Sequence, residues 1–135
     1  MPTINDTRYE LEKLFINEWG LTTEIAYDNV PFDSSEVDEF VEIRFVVYDS
    51  QNMTIGSQLN KAIRHTGALL IYIYTKLNAG SGKAWAYADS VKDIMSNKQV
   101  ASRLHTLETE IRRNGDGVDG YFSLICSVRY NSDEC

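Results

Sequence analysis

The residues best equipped for chemistry in this chain are His65 and His105, Cys126 and Cys135, the Gly80-Ser81-Gly82 turn, and two carboxylate-rich stretches. Neither histidine has a serine or cysteine beside it in a nucleophile motif. A lone histidine in a strand is more often a partly exposed structural residue than a base. The cysteines are not spaced as metal ligands, and only the two histidines are available to join them. Cys126 falls in an apolar strand pattern and reads as a small core residue. Cys135 ends a polar tail and reads as a free thiol. Gly80-Ser81-Gly82 opens a helix, whose first backbone N–H groups can bind an anion. It lacks the longer spacing and the Lys-Ser/Thr pair of a phosphate loop, so a turn plus helix cap is the simpler reading. Asp116 and Asp119 sit in a Gly-rich loop without the twelve-residue calcium pattern and its closing Glu. The run Asp33 to Glu39 reads as a solvated loop. Catalysis is thus weakly supported, and neither a cofactor nor a metal is expected.

The elements that position these residues follow from periodicity. Residues 7–19 form a helix, with Thr7 and Glu10 at capping-box spacing and Leu11, Leu14, Phe15 and Trp19 on one face. Gly20 stops it. A short strand covers 24–28, and an exposed acidic loop runs from Asn29 to Glu39. The strand at 40–48 turns Val41, Ile43, Phe45 and Val47 one way and Glu42 and Arg44 the other. A further short strand at 53–55 ends at Gly56. The most apolar strand, 64–76, sets Leu69, Ile71 and Ile73 against Ala68, Leu70, Tyr72 and Tyr74, so both faces need cover. Ser81 caps a second helix over 82–96, with Ala84, Trp85, Ala88, Val91 and Met95 as its buried stripe. Strands over 100–112 and 121–130 follow as an antiparallel pair. In the second of these, Phe122, Leu124, Cys126, Val128 and Tyr130 share a face. Residues 131–135 read as a frayed end.

This order predicts an α+β domain: a mostly antiparallel or mixed sheet of five or six strands, with two helices packed on one face. The 135 residues fit one domain able to bury a core without disulfide or metal. Acidic residues outnumber basic ones by 20 to 13, for a net charge of −7. That sign argues against a nucleic-acid clamp but is compatible with DNA passing nearby without sticking. No apolar run approaches the roughly 18 residues of a membrane span, so no membrane partner is expected. The N-terminus lacks the pattern of a signal peptide, which places the chain in the cytoplasm of the cell that makes it.

Binding has more support than catalysis. Eight tyrosines and five phenylalanines are present, and some fall on strand faces opposite the expected core. Two patches are candidate interfaces. One is the turn Tyr27, Asp28, Asn29, Pro31 and Phe32 with the acidic residues Asp33, Glu36, Asp38 and Glu39 after it. Pro31 fixes the backbone and removes a donor there, ending the strand before it. The other consists of the strand residues Arg44, Arg64, Tyr72 and Tyr74.

The ordered residues resemble a known family. Tyr27-Asp28-Asn29-Val30-Pro31-Phe32, a strand and Gly56 are followed by Arg64-His65-Thr66-Gly67 and an apolar strand. Then come the Gly80-Ser81-Gly82 turn, a helix with Ala88-Asp89, and Gly120-Tyr121-Phe122. This set, spanning residues 7 to 130, resembles the small tail terminator proteins of long-tailed bacteriophages. Leu77-Asn78 stands where that family has a proline before its Gly-x-Gly turn.

The resemblance implies a structural protein of the virion, not an enzyme. Copies assemble as a ring, commonly a homohexamer, on the finished tail tube at its head-proximal end. The ring stops addition of the tail tube protein and forms the joining surface for the head-completion or connector protein. Genomic DNA passes through its hole without sequence-specific binding. A ring needs two different patches per subunit, and the candidate patches above supply two. The alternatives are another head-tail neck protein, or a small ligand-binding α+β domain using His65 and the Gly80–Gly82 turn.

Overall fold

The computed structural model describes residues 3–20, 22–27, 38–52, 63–76, 82–114 and 121–134, with the backbone alone for 49–52 and 134. The strand expected at 53–55, Gly56, the Ser81 cap, the Asp116–Asp119 loop and Cys135 lie outside the described residues.

Helix α1 spans Ile4–Trp19, one turn earlier than its periodicity suggests. Its cap is Thr3, not Thr7. The Thr3 hydroxyl accepts from the Asp6 N–H at 3.0 Å, and the Asp6 carboxylate accepts from the Thr3 N–H at 2.9 Å. The Thr3 backbone N–H, with the Thr3 side chain adding to it, holds the Asp6 carboxyl below its ordinary range. Thr7 is buried, and its hydroxyl donates to the Thr3 carbonyl at 3.2 Å and lies 3.3 Å from the Ser132 hydroxyl. The residue that resembled a cap therefore ties the helix to the end of the chain. Gly20 closes α1 at φ 60°, with its N–H donating to the Ile16 carbonyl at 2.9 Å.

Strands β1 (Glu24–Ala26), β2 (Glu39–Asn52) and β3 (Ile63–Lys76) follow, then helix α2 (Gly82–Met95). Next come β4 (Gln99–Ala101), β5 (Leu104–Thr106), β6 (Glu110–Arg113) and β7 (Tyr121–Glu134). They form one mixed seven-stranded sheet ordered β1-β2-β3-β7-β5-β4, with β6 also beside β7. Only β1 and β2 run parallel; the other pairs are antiparallel. Two helices with this sheet make an α+β fold.

The segment read as one strand over 100–112 is three short ones. Ser102 and Arg103 turn the chain between β4 and β5. Thr106 holds the fold-back: its buried hydroxyl donates to the Met95 carbonyl at the end of α2 and accepts from the Lys98 N–H at 2.8 Å. At the C-terminus, β7 continues through Glu134, where a frayed end was expected. Its polar tail pairs with the equally polar start of β3: Asn131 with Thr66, Ser132 with His65 and Asp133 with Arg64. Apolar patterning gives no sign of such a pairing.

One core cluster gathers Leu11, Phe15 and Trp19 of α1 with Ala84, Ala88, Val91 and Met95 of α2. It adds alternate strand residues: Val41 and Ile43, then Leu69, Ile71 and Ile73, then Leu124, Cys126, Val128 and Tyr130. The register aligns them in rows, with Val41 opposite Ile73 and Ile73 opposite Leu124. Trp85 does not join this core; it is 40 % exposed. Ala84, Ala88, Val91 and Met95 suffice for the buried stripe, and Trp85 lies one step round the helix from it.

Arg64 and Asp133 close the far end of β3 and β7 with paired bonds of 2.8 and 3.1 Å. The hydrogen bonds from Arg64 are the main reason the Asp133 carboxyl stays below its ordinary range. A lowered folded-state pKa stabilises the fold above the unfolded carboxylate range, and that contribution is lost as pH falls through the folded value. Both side chains are about a third exposed, so the pair is worth no more than about 1 kcal/mol. Arg64→Ala should cost about that much at pH 7. Urea titrations should find the gap between variant and parent closing below about pH 4.

Candidate subunit interface

Up to Val46, before the register shift between Val47 and Asp49, the even-numbered residues of β2 pair with even-numbered residues of β3 on the face opposite the core. Phe40 lies opposite Tyr74, Glu42 opposite Tyr72, and Arg44 opposite Leu70. On β7 the row continues with Ser123, Ile125 and Ser127. Strand alternation alone therefore gathers a second aromatic cluster, in which Phe40 and Tyr74 are buried within the chain and Tyr72 and Tyr121 are half-buried.

Phe40 and Tyr74 stack with centroids 4.6 Å apart and planes at 18°. Tyr121 meets both edge-on, at 5.3 and 6.2 Å. Tyr72 lies parallel to Tyr74 at 6.4 Å. Ala26 of β1 packs into the same small cluster. Each such aromatic pair contributes about 0.5–1.5 kcal/mol beyond area burial, so the patch is rigid before anything binds it. Arg44 sits over the Tyr72 ring at 5.1 Å and donates to the Glu42 carboxylate at 2.6 Å. Tyrosine and arginine are the residues that dominate protein–protein hot spots.

Burial, with Glu42 adding to it and Arg44 opposing it, pushes the Tyr74 hydroxyl up to about 12. The folded value exceeds the unfolded one near 10, so Tyr74 stabilises the fold fully below pH 10 and loses that contribution as pH rises towards 12. Burial raises Tyr130 and Cys126 to about 12 as well. Stability should therefore fall from about pH 9, where an ordinary thiol begins to ionise, to about pH 12, and Tyr74→Phe should make the fall above pH 10 shallower in alkaline melts.

The residues singled out from the sequence divide into groups. Arg44, Tyr72 and Tyr74 come together. Arg64 does not: it lies eight positions along β3 from Tyr72, about 26 Å at ~3.3 Å per residue, and is engaged with Asp133. Tyr27 follows β1 and is 41 % exposed. Asp38 and Glu39 lead into β2. Asp38 approaches Lys76 at 3.5 Å, while Glu39 binds Lys83 at 2.8 Å and accepts from the Tyr87 hydroxyl at 2.7 Å. Glu39 thus fastens β2 to α2. Asp28, Asn29, Val30, Pro31, Phe32, Asp33 and Glu36 lie outside the described residues.

Sequence reasoning missed Phe40, Glu42 and Tyr121 as members of the surface. Phe40 and Glu42 share strand parity with Arg44, which was the available signal. Tyr121 is legible only through the β3–β7 register.

Of the residues considered for catalysis, His105 lies 3.4 Å from the Asn131 amide, in the β5–β7 pair. Among the described residues no group of three His, Cys, Asp or Glu side chains converges for a metal. No described helix is long and apolar enough to cross a membrane.

No protein-family model matches the chain, and no curated protein matches it. Solved structures do match. One is of a protein whose name carries no statement of function. It aligns with a TM-score of 0.64 over 93 % of this chain and 94 % of that one, at 10 % identity. At that identity the likeness concerns fold alone.

Proposed function

We propose that this chain is a structural tail terminator of a long-tailed bacteriophage. Copies form a ring, probed first as a hexamer, on the head-proximal end of the completed tail tube. The ring blocks further addition of tube subunits and offers its outer surface to the head connector. DNA passes through its hole.

The observation that carries this reading is the ordered set from Tyr27-Asp28-Asn29-Val30-Pro31-Phe32 to Gly120-Tyr121-Phe122, distributed over nearly the whole chain. The surface chemistry is compatible. Half-buried Tyr72 and Tyr121, seated on the buried Phe40 and Tyr74 and beside the exposed Arg44, offer tyrosine and arginine to a protein contact. The net charge of −7 disfavours adhesion of DNA to a pore wall.

Electron microscopy of purified tails carrying a labelled copy tests the location. The reading expects label at the head-proximal end alone. Label along the tube, or at the distal tip, would remove it. Label on the head side of a tail-free connector would favour a head-completion protein instead.

A further inference from the structure

The sheet face opposite the core has an apolar centre flanked by arginine. Row by row, Arg44 aligns with Leu70 and Ser127, and Tyr72 with Ile125 and Arg112. One row beyond Leu70, Ala68 lies opposite Arg129. Leu70, Tyr72 and Ile125 are half-buried, and the three arginines are exposed. Leu107 adds to the apolar area: it is 36 % exposed, and its N–H donates to the Arg129 carbonyl at 2.9 Å.

Charge on this face is not balanced internally. Glu42 is bound to Arg44 at 2.6 Å, and Glu110, opposite Ser127, adds one further carboxylate. Arg112 and Arg129 form no ion pair among the described residues. The face therefore carries an excess of positive charge on a chain of net charge −7.

The outer side of α2 has the converse chemistry. Ala84, Ala88, Val91 and Met95 are its buried stripe. Trp85, Asp89 and Asp93 recur every fourth residue and form an exposed one. The two lysines of the helix do not neutralise these aspartates, because Lys83 binds Glu39 at 2.8 Å and Lys92 binds Glu108 at 3.3 Å. Asp89 and Asp93 form no ion pair among the described residues.

We infer that copies of this chain associate head-to-tail, the outer stripe of α2 on one copy seated on the arginine-flanked sheet face of the next. Trp85 covers the apolar centre of Leu70, Ile125 and Leu107, and Asp89 and Asp93 meet Arg112 and Arg129. Each side thus supplies the partners that the other lacks within its own chain. The two patches differ, so the contact is heterologous and builds a ring rather than a two-fold dimer. This deepens the terminator reading and rests on it for the ring; the contact itself is tested independently.

The test uses the full chain and three variants, Asp89→Lys/Asp93→Lys, Arg112→Glu/Arg129→Glu and Trp85→Ala, in sedimentation equilibrium up to about millimolar. All should keep the parent melting temperature, since all five side chains are exposed. Asp89→Lys and Arg112→Glu replace a double variant that melts early. The parent chain is expected to self-associate, and each variant alone about tenfold or more weakly. The aspartate variant has less net negative charge, so general repulsion between copies would move it the opposite way. Mixed in equal amounts, the two charge-reversed variants should recover the association of the parent, because both contacts then join opposite charges.

A parent chain monomeric to about millimolar would assign both faces to other proteins and overturn the inference. So would any variant that associates within about tenfold of the parent, or a mixture that associates no better than its components. Absence of the protein from tail ends would remove the terminator reading and leave the contact between copies standing.

Discussion

Gly67→Ala is expected to destabilise the fold by about 3 kcal/mol. Gly67 sits mid-strand in β3, between Val47 of β2 and Tyr130 of β7. A Cβ built there would stand 2.2 Å from the Val46 carbonyl oxygen. It would also stand 2.6 Å from the Tyr130 hydroxyl and 2.8 Å from its ring. The first of these neighbours is backbone and cannot rotate away. Tyr130 is buried and stacked on Phe45 at 5.5 Å, which leaves it little room to yield. The glycine is needed for close approach, so the cost is steric and any side chain incurs it. Denaturant titration of Gly67→Ala, Tyr130→Leu and the double variant should reveal coupling of about 1 kcal/mol or more, because removing the ring relieves part of the clash. A Gly67→Ala protein within about 0.5 kcal/mol of the parent would contradict this packing.

Trp19→Ala should cost about 4 kcal/mol, and Trp85→Ala less than about 0.5 kcal/mol. Trp19 is 2 % exposed. It stacks on Phe15 at 5.2 Å and meets Tyr87 edge-on at 5.6 Å, and its indole N–H donates to the Thr23 hydroxyl at 3.0 Å. Removing it leaves a cavity where α1 and α2 meet and strips a partner from Tyr87, which also binds Glu39. Trp85 is 40 % exposed and contributes little to the core. In thermal melts the first variant should lose about 15 °C and the second almost nothing. The chain has only these two tryptophans. Trp85→Ala should therefore leave an emission spectrum blue-shifted by burial, and Trp19→Ala a red-shifted one.

The two tryptophans show where sequence patterning succeeds and where it stops. Leu11, Leu14, Phe15 and Trp19 recur at helical spacing; Leu11, Phe15 and Trp19 are buried, and Leu14 is half-buried against them. Trp85 adjoins an equally regular stripe, but small alanines at 84 and 88 fill the contact without it. The long strands were legible because Leu69, Ile71 and Ile73 alternate against a second apolar set. The end of β7 was not, because Asn131, Ser132 and Asp133 pair with residues as polar as themselves. Thr7 was misread as a cap because Thr3 offers the same chemistry one turn earlier. The aromatic surface was half legible: Tyr72 and Tyr74 declare their shared face within one strand. Phe40 and Tyr121 reach it only through pairing across β2, β3 and β7, which no local pattern encodes.

Half-buried Tyr72 and Tyr121 lie beside the exposed Arg44 over a buried aromatic pair, Phe40 and Tyr74. The terminator proposal itself is tested most directly by deleting the coding sequence from the phage that carries it and measuring tail lengths by electron microscopy. The account expects tails of aberrant, broadly distributed length that fail to join heads, with normal particles restored by the intact chain supplied in trans. Tails of uniform normal length joined to heads in the deletion mutant would contradict it.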